Sequence, residues 1–600
     1  MIKDQIIADL KKALQKLRIS GVEPVLEHPA QETHGDYATN VAMVVAGKQK
    51  DKTPLELAKK IVDAYPEVDY LAKVEVAEPG FINFWLKEEF LSGQLEEVAR
   101  DGDDYGKSSL LKDKRIMVEF AHPNTHKLFH IGHLRNISLG ESIVRLLESQ
   151  GTKVVRANYQ GDVGLHIAKC LWGFVKLQKE KRRDRAYGER SLLLPSKIEF
   201  LGKAYVTGAK ACDDDPKARL EIEELNKKIY QQSADTVDLW RQTRGWSLEY
   251  FERIYKKVSS HFDRYYFESE VAGPGKEIVL EGLKKGIFEE SEGAIIFPGK
   301  KYGLHNRVFV TQQGLPTYEA KDIALAKLQF SEFAPDLIIH VVGPEQKGYF
   351  EVVFKALAQL LPETAGKEYH LIYGWVRLKT GKMSSRTGEV VLAEWLLDEV
   401  KKRLKNSFKM SEEVAEMVAV GAVKYSLLKF SPRQEIAFDI DESINLEGDS
   451  GPYLQYTHAR CVSVLKKAGE AEPSTFQPAT QSSFARSHGH STQSSSQGGV
   501  RVALEKGDAH LLNVEELAIL RTLYKFPEVV ADAAQAYSPN LICSFLFDLA
   551  QKYNLFYDKL PILKAPSSKL QYQRLALTAA TAQIIKNGLG LLGIKAPEKM

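Results

Sequence analysis

Two histidines, His130 and His133, flank Gly132 at the point where an apolar stretch gives way to a helical pattern. Far downstream comes a basic segment, Lys382-Met383-Ser384-Ser385-Arg386, bounded by Thr380, Gly381 and Gly388. Imidazole N–H groups and a cationic loop suit phosphate oxygens. They can hold the negative charge that builds as a phosphoryl bond shifts, by positioning and electrostatics and without a covalent enzyme intermediate. A helix N-terminus adds free N–H groups and a favourable dipole. Gly132 allows a ligand close to the backbone, and the two histidines share one helical turn. Alone, the first motif could be a capping pair and the second an ordinary mobile loop. Together, and in this order, they point to a nucleotide.

A second set of candidates is acidic. Glu119 ends the strand-like run Ile116–Phe120, and doubly wound sheets bind ligands at the carboxyl ends of their strands. After the turn Gln313-Gly314-Leu315-Pro316, Tyr318 and Asp322 stand four apart on one predicted helix face. Two carboxylates and a hydroxyl suit a planar cation with five donors. The plainer readings are a glutamate paired with a neighbouring lysine and a surface tyrosine over an ion-paired aspartate. A third set, Tyr453, Tyr456 and Arg460, recurs at spacings of three and four. It suits stacking on splayed bases, and core packing equally.

These residues need elements to hold them. Residues 105–404 alternate buried strands and helices, the pattern of a parallel, doubly wound sheet. A charged, helix-prone insertion at about 175–265 interrupts it, and its basic run Lys179–Arg185 reads as a solvated helix face. Residues 1–104 read as a small α/β unit: Ile6, Leu10, Leu14 and Leu17 share a helical face, and Val74–Val76 and Phe81–Leu86 are strands split by Pro79-Gly80. Residues 405–600 are helical, with Leu546, Leu549, Tyr553 and Phe556 as a core face. Within them, about 469–507 are dominated by Ser, Gln, Gly and Pro. Such a tract buries too little apolar surface to offset ordering, so a disordered insertion is expected.

The two motifs resemble the HIGH and KMSKS signatures of class I aminoacyl-tRNA synthetases. The surrounding residues resemble one member family, the arginyl-tRNA synthetases. His34–Asn40 with Pro79–Phe84 resembles that family's extra N-terminal domain, which contacts the tRNA elbow. Phe526–Ala534 and Asn587–Ile594 resemble its α-helical anticodon-binding domain. The resemblance implies a Rossmann-like catalytic domain between these two. It implies ligation of L-arginine to tRNA-Arg through an arginyl-adenylate, with ATP and Mg²⁺ and no protein-bound metal, and activation that requires bound tRNA. It assigns His130, Gly132, His133, Lys382 and Met383 to ATP, and Ser384, Ser385 and Arg386 to the catalytic loop. Ser385 stands where the class has its second lysine; in family members lacking it a lysine ahead of the histidines compensates, a place held here by Lys127. Glu119, Asn124, Tyr318, Asp322 and Gln346 are assigned to arginine, and Phe81, Asn83, Tyr453, Tyr456 and Arg460 to tRNA. The family's aromatic at position 163 is Val163 here, which opens a local packing question.

Bulk properties agree and exclude other classes. Net charge is only +3, so affinity for tRNA must come from local patches. The cysteines Cys170, Cys212, Cys461 and Cys543 are scattered and form no Cys-x-x-Cys. That argues against a zinc site such as a cysteine-specific relative would use, and favours a reducing compartment. No apolar run spans a bilayer and no signal peptide is expected. A cytoplasmic monomer without membrane contact is the expectation. The intact signature residues argue against a catalytically silent tRNA-binding scaffold.

Overall fold

The computed structural model describes residues 1–600 except 49–51, 184–193, 380–390 and 472–511. Lys382–Arg386 therefore lies outside the described residues, as do Arg185 and nearly all of the Ser/Gln-rich tract. The helix Gly451–Ala471 carries the chain to the edge of that tract, so residues 469–471 are helical where disorder was expected.

The N-terminal unit forms an antiparallel sheet of β1 (Tyr37–Thr39), β2 (Leu71–Ala77) and β3 (Phe81–Leu86), in the order β1-β3-β2. Helices Ile2–Lys16 and Pro54–Ala64 accompany it; Ile6, Leu10 and Leu14 are buried as their periodicity predicts. Thr53 caps the second helix, with Pro54 inside and Glu56 returning to the cap, so local chemistry starts that helix.

The central sheet holds β4 (Arg115–Glu119), β5 (Lys153–Gln160), β6 (Arg264–Phe267), β10 (Leu337–Val342) and β11 (Glu368–Ile372). All neighbours are parallel, in the order β11-β10-β4-β5-β6. The chain winds outward from β4 to β6, then returns to place β10 against the other side of β4. The topological switch point is therefore the β4/β10 boundary, where ligand crevices form in such sheets. A separate three-stranded sheet, β7 (Glu289–Ser291), β8 (Ala294–Phe297) and β9 (Arg307–Val310), sits between β6 and β10 in sequence.

Between β5 and β6 run helices Leu165–Arg183, Leu194–Asp214, Pro216–Tyr230 and Val237–Lys257. The excursion starts at Leu165, because position 175 falls inside a continuous helix. Position 405 likewise falls inside a helix, Ala393–Ser407, and the helical region includes β13 (Ile436–Phe438), paired with β12 (Val376–Leu378). In helix Asn540–Lys559, Leu546, Leu549, Tyr553 and Phe556 are all fully buried. Among the described residues no helix is long and apolar enough to cross a membrane. Asn136, of the sequon-like Asn136-Ile137-Ser138, is buried within helix Ile131–Ser149.

Candidate active site

The histidine motif opens helix Ile131–Ser149 at the carboxyl end of β4. His130 is the N-cap, one residue outside the helix, with extended backbone. Its Nδ1 accepts the Gly132 N–H at 3.1 Å, while its own N–H donates to Nδ1 of His133 at 3.1 Å. Both Nδ1 atoms are thus acceptors, so in both rings the proton sits on Nε2. The rings stack with centroids 3.7 Å apart. A Cβ at position 132 would lie 2.9 Å from the His130 ring, so glycine makes room for the cap itself. Burial, then Lys127, lowers His130 to about 4; burial, then His130, lowers His133 well below the usual range. Two neutral Nε2–H donors result. The backbone contributes less than expected: the Ile131 N–H is taken by the Val391 carbonyl at 2.9 Å, and the Gly132 N–H by His130. Val391 and Leu392 are the first described residues after 380–390, and His130 pairs with Leu392 in an isolated bridge. Val391 and Leu392 are therefore held on the histidine motif.

The loop from β4 to this helix is strained. Ala121, His122 and His126 all have positive φ (75°, 48° and 64°), a conformation costing roughly 1–3 kcal/mol per residue and found mostly at functional sites. Side chains hold it. The Ala121 N–H donates to Asn136 Oδ1 at 2.6 Å, and Asn136 Nδ2 donates to the Val341 carbonyl at 2.7 Å, bridging the switch point. The His126 N–H donates to Ser247 Oγ at 2.9 Å, tying the loop to helix Val237–Lys257. Lys127, exposed, faces the Tyr205 ring at 5.7 Å.

The acidic candidates converge beside this loop. Glu119, 3% exposed, accepts from Gln329 Nε2 at 2.5 Å and pairs with His340 Nδ1 at 3.1 Å. Asp322, on the first turns of helix Tyr318–Phe333, accepts from Tyr349 OH at 2.7 Å. Burial lifts its carboxyl to about 7, opposed by the Tyr349 bond and reinforced by Glu119. Tyr159, at the end of β5, is half-buried amid the charges of Asp322, Glu268 and Glu119, and its hydroxyl has no hydrogen-bond partner among the described residues. Glu268 is already neutralised by Lys321 at 2.7 Å. Among the described residues Asp322 forms no ion pair, so its carboxyl is the one left without a direct counter-charge. Tyr318, 57% exposed, stands at the rim. Asn124 packs its Oδ1 on Gly161, where a Cβ would come within 2.1 Å. Gln346, half-buried, ends the turn that follows β10.

Sequence reasoning missed His340, Gln329, Glu368, Tyr349 and Glu268. Each looks ordinary in its own strand or helix, and only strand order brings it to the pocket. Tyr159 was missed as well, although it lies four residues before Val163. Between them Asp162 is structural: it accepts from Ser269 at 2.9 and 2.7 Å and pairs with Arg244 at 2.9 Å. Val163 is buried in one cluster with Trp240, whose indole answers the packing question.

The tRNA candidates divide. Arg460 donates to Tyr456 OH at 3.2 Å and to Asn554 Oδ1 at 2.7 Å, and Asn554 donates to Tyr453 OH at 3.0 Å. The guanidinium lies 4.9 Å from the Tyr456 ring and 4.7 Å from Tyr557, a residue the sequence did not single out. This half-buried cluster is both packed and partly open. Asn83, by contrast, is only 5% exposed within its sheet, and Phe81 is half-buried. Packing leaves little of Asn83 for a direct tRNA contact. Asp36 and Tyr37 are also internal: Asp36 pairs with Arg521 at 3.3 Å and Tyr37 donates to Glu528 at 2.5 Å. That motif docks the N-terminal unit onto the C-terminal helices.

Comparison with known proteins agrees with this geometry. The family described as tRNA synthetases class I (R), catalytic domain, matches residues 94–440. The DALR anticodon binding domain matches 454–600, and the arginyl tRNA synthetase N terminal domain matches 2–86. The arginine–tRNA ligase of Treponema denticola is 32% identical over 99% of this chain and 100% of that protein. The one from Bdellovibrio bacteriovorus is 32% identical over 91% of each. Among solved structures, the Thermus thermophilus arginyl-tRNA synthetase superposes with a TM-score of 0.78 at 25% identity, covering all of both chains. A neutral pair of histidine donors, buried carboxyls beside their loop and these matches across the whole length lead to one conclusion: the chain belongs to the arginyl-tRNA synthetase family.

Proposed function

We propose that ATP-dependent ligation of arginine to tRNA-Arg runs in this chain through the residues just described. The observation that carries the assignment is Asp322: a carboxyl without an ion-pair partner among the described residues, under the influence of a second carboxylate, Glu119. A guanidinium supplies the missing charge, with Tyr318 at the rim and Glu119 as the second acidic group. Asn124 and Gln346 take the amino-acid end. The arginine carboxylate then needs no general base. It attacks the α-phosphorus, a carboxylate–phosphorus bond forms, and the bond to pyrophosphate breaks.

The Nε2–H groups of His130 and His133 donate to the phosphate oxygens as charge shifts, and Lys127 adds a positive charge. Lys382, Met383, Ser384, Ser385 and Arg386 join them on the strength of the sequence. Mg²⁺ enters with the triphosphate as part of the substrate. In the second step the terminal adenosine hydroxyl of tRNA attacks the arginyl carbonyl, an ester bond forms, the carbonyl–phosphate bond breaks, and AMP leaves with the hydroxyl proton passing to its phosphate or to water. Tyr453, Tyr456 and Arg460 receive anticodon bases, and Phe81 and Asn83 lie in the unit assigned to the tRNA elbow. A cytoplasmic monomer completes the reading, checked by sedimentation of the free protein.

The test is arginine-dependent ATP–pyrophosphate exchange with and without tRNA-Arg. Exchange that requires both arginine and tRNA is the expected result. Exchange driven by another amino acid, or none at all, overturns the assignment.

A further inference from the structure

The geometry points to His340 as a positioning residue, a fixed cation that keeps Glu119 ionised and aimed for the cationic substrate. The inference rests on the arginine reading of the pocket. His340 pairs in register with Glu119 across the β4/β10 boundary, and with His370 across β10/β11. Paired residues lie on the same face of a sheet. Glu368, two residues from His370, points to that same face. His340 is 6% exposed. Its Nδ1 is 3.1 Å from Glu119 and its Nε2 is 2.6 Å from Glu368. Ionised carboxylates only accept, so a ring bonded to one at each nitrogen must carry both hydrogens. The Phe350 and Phe354 rings, centred 5.2 and 5.7 Å away, wall it off.

The remaining charged or titratable groups around it are His122 in the β4 loop, His370 on β11 and Asp322 on helix Tyr318–Phe333. None of these replaces the imidazolium between the two glutamates. Without it, two buried carboxylates face one another, and like charges in one site do not both ionise readily. One takes up a proton. Glu119 then loses part of its charge and its fixed orientation, though no atom of His340 need touch substrate.

The experiment is steady-state exchange kinetics on H340Q and on H340Q/E368Q, from about pH 7 to 9. H340Q is expected to raise the KM for arginine about tenfold at pH 7, with the KM for ATP within about twofold. The rise should shrink toward pH 9, where both carboxylates ionise regardless. The double variant removes the repelling partner and should recover much of the arginine KM; it also relieves the buried charge that could unfold the single variant. An inactive wild type overturns the arginine reading and this inference together. An active wild type overturns the inference alone if H340Q leaves arginine KM unchanged, raises both KM values in parallel at every pH, or is not rescued by E368Q.

Discussion

Asp36 and Asp322 are both aspartates in motifs that looked functional, and burial raises both carboxyls. Their surroundings differ. Asp36 accepts the Leu86 N–H at 2.8 Å and pairs with Arg521 at 3.3 Å, so its charge is spent joining two domains. Asp322 accepts from one tyrosine hydroxyl and forms no ion pair among the described residues. Of these two aspartates, the one completed by protein groups serves architecture and the one left short of a counter-charge can seat a ligand. Burial alone did not separate the two, and the missing counter-charge did.

The sharpest way to break this contrast is Asp322→Ala. A guanidinium would lose two charge-assisted bonds of about 1.5–3 kcal/mol each. The KM for arginine should therefore rise at least about 100-fold, with the KM for ATP nearly unchanged. Equal rises in both would place Asp322 with Asp36 as architecture.

Asp36→Ala should do the reverse. It strands Arg521 and the Leu86 N–H, at a cost of about 2–3 kcal/mol in thermal or denaturant unfolding. Arginine KM below the melting range should stay as in wild type.

His133→Ala probes the donor pair, and should slow adenylate formation about 10- to 100-fold without weakening arginine binding, as read by single-turnover exchange. Arg460→Ala should raise the KM for tRNA about tenfold and leave a saturating-tRNA exchange rate intact.

The smallest effect is on pH. With Asp322 at about 7 in the empty pocket, arginine binding must expel a proton below that pH. The KM for arginine should fall a few-fold as pH rises from about 6.5 to 8, and Asp322→Asn should flatten the profile. In the free protein the same shift acts against stability. The unfolded chain gives up that proton near the ordinary aspartate value and the folded one near 7, so stability falls as pH rises between them.

Much of this was legible beforehand because it is local. The alternation of strand-like and helical runs over 105–404 announced the parallel sheet, and Val74–Val76 and Phe81–Leu86 lie in strands observed. Ile6, Leu10 and Leu14 are buried on the helical face their spacing predicted, and the two histidines sit where a strand-side loop gives way to a helix. What escaped notice is long-range. Gln329 meets Glu119 across 210 residues, and Tyr37 meets Glu528 across 491. Neither residue carries a local mark of its partner.

By itself, then, the amino-acid order determined the class of chemistry: donors for phosphate, acids for a cation, aromatics with arginine for bases. It did so because side-chain type and helical or strand period are properties of short segments. Only the tertiary structure decided which acids are already neutralised, which ring nitrogens carry hydrogen, and which motif faces another domain instead of RNA. Those depend on how each charge is compensated after burial, and compensation is set by the strands and helices that happen to meet there.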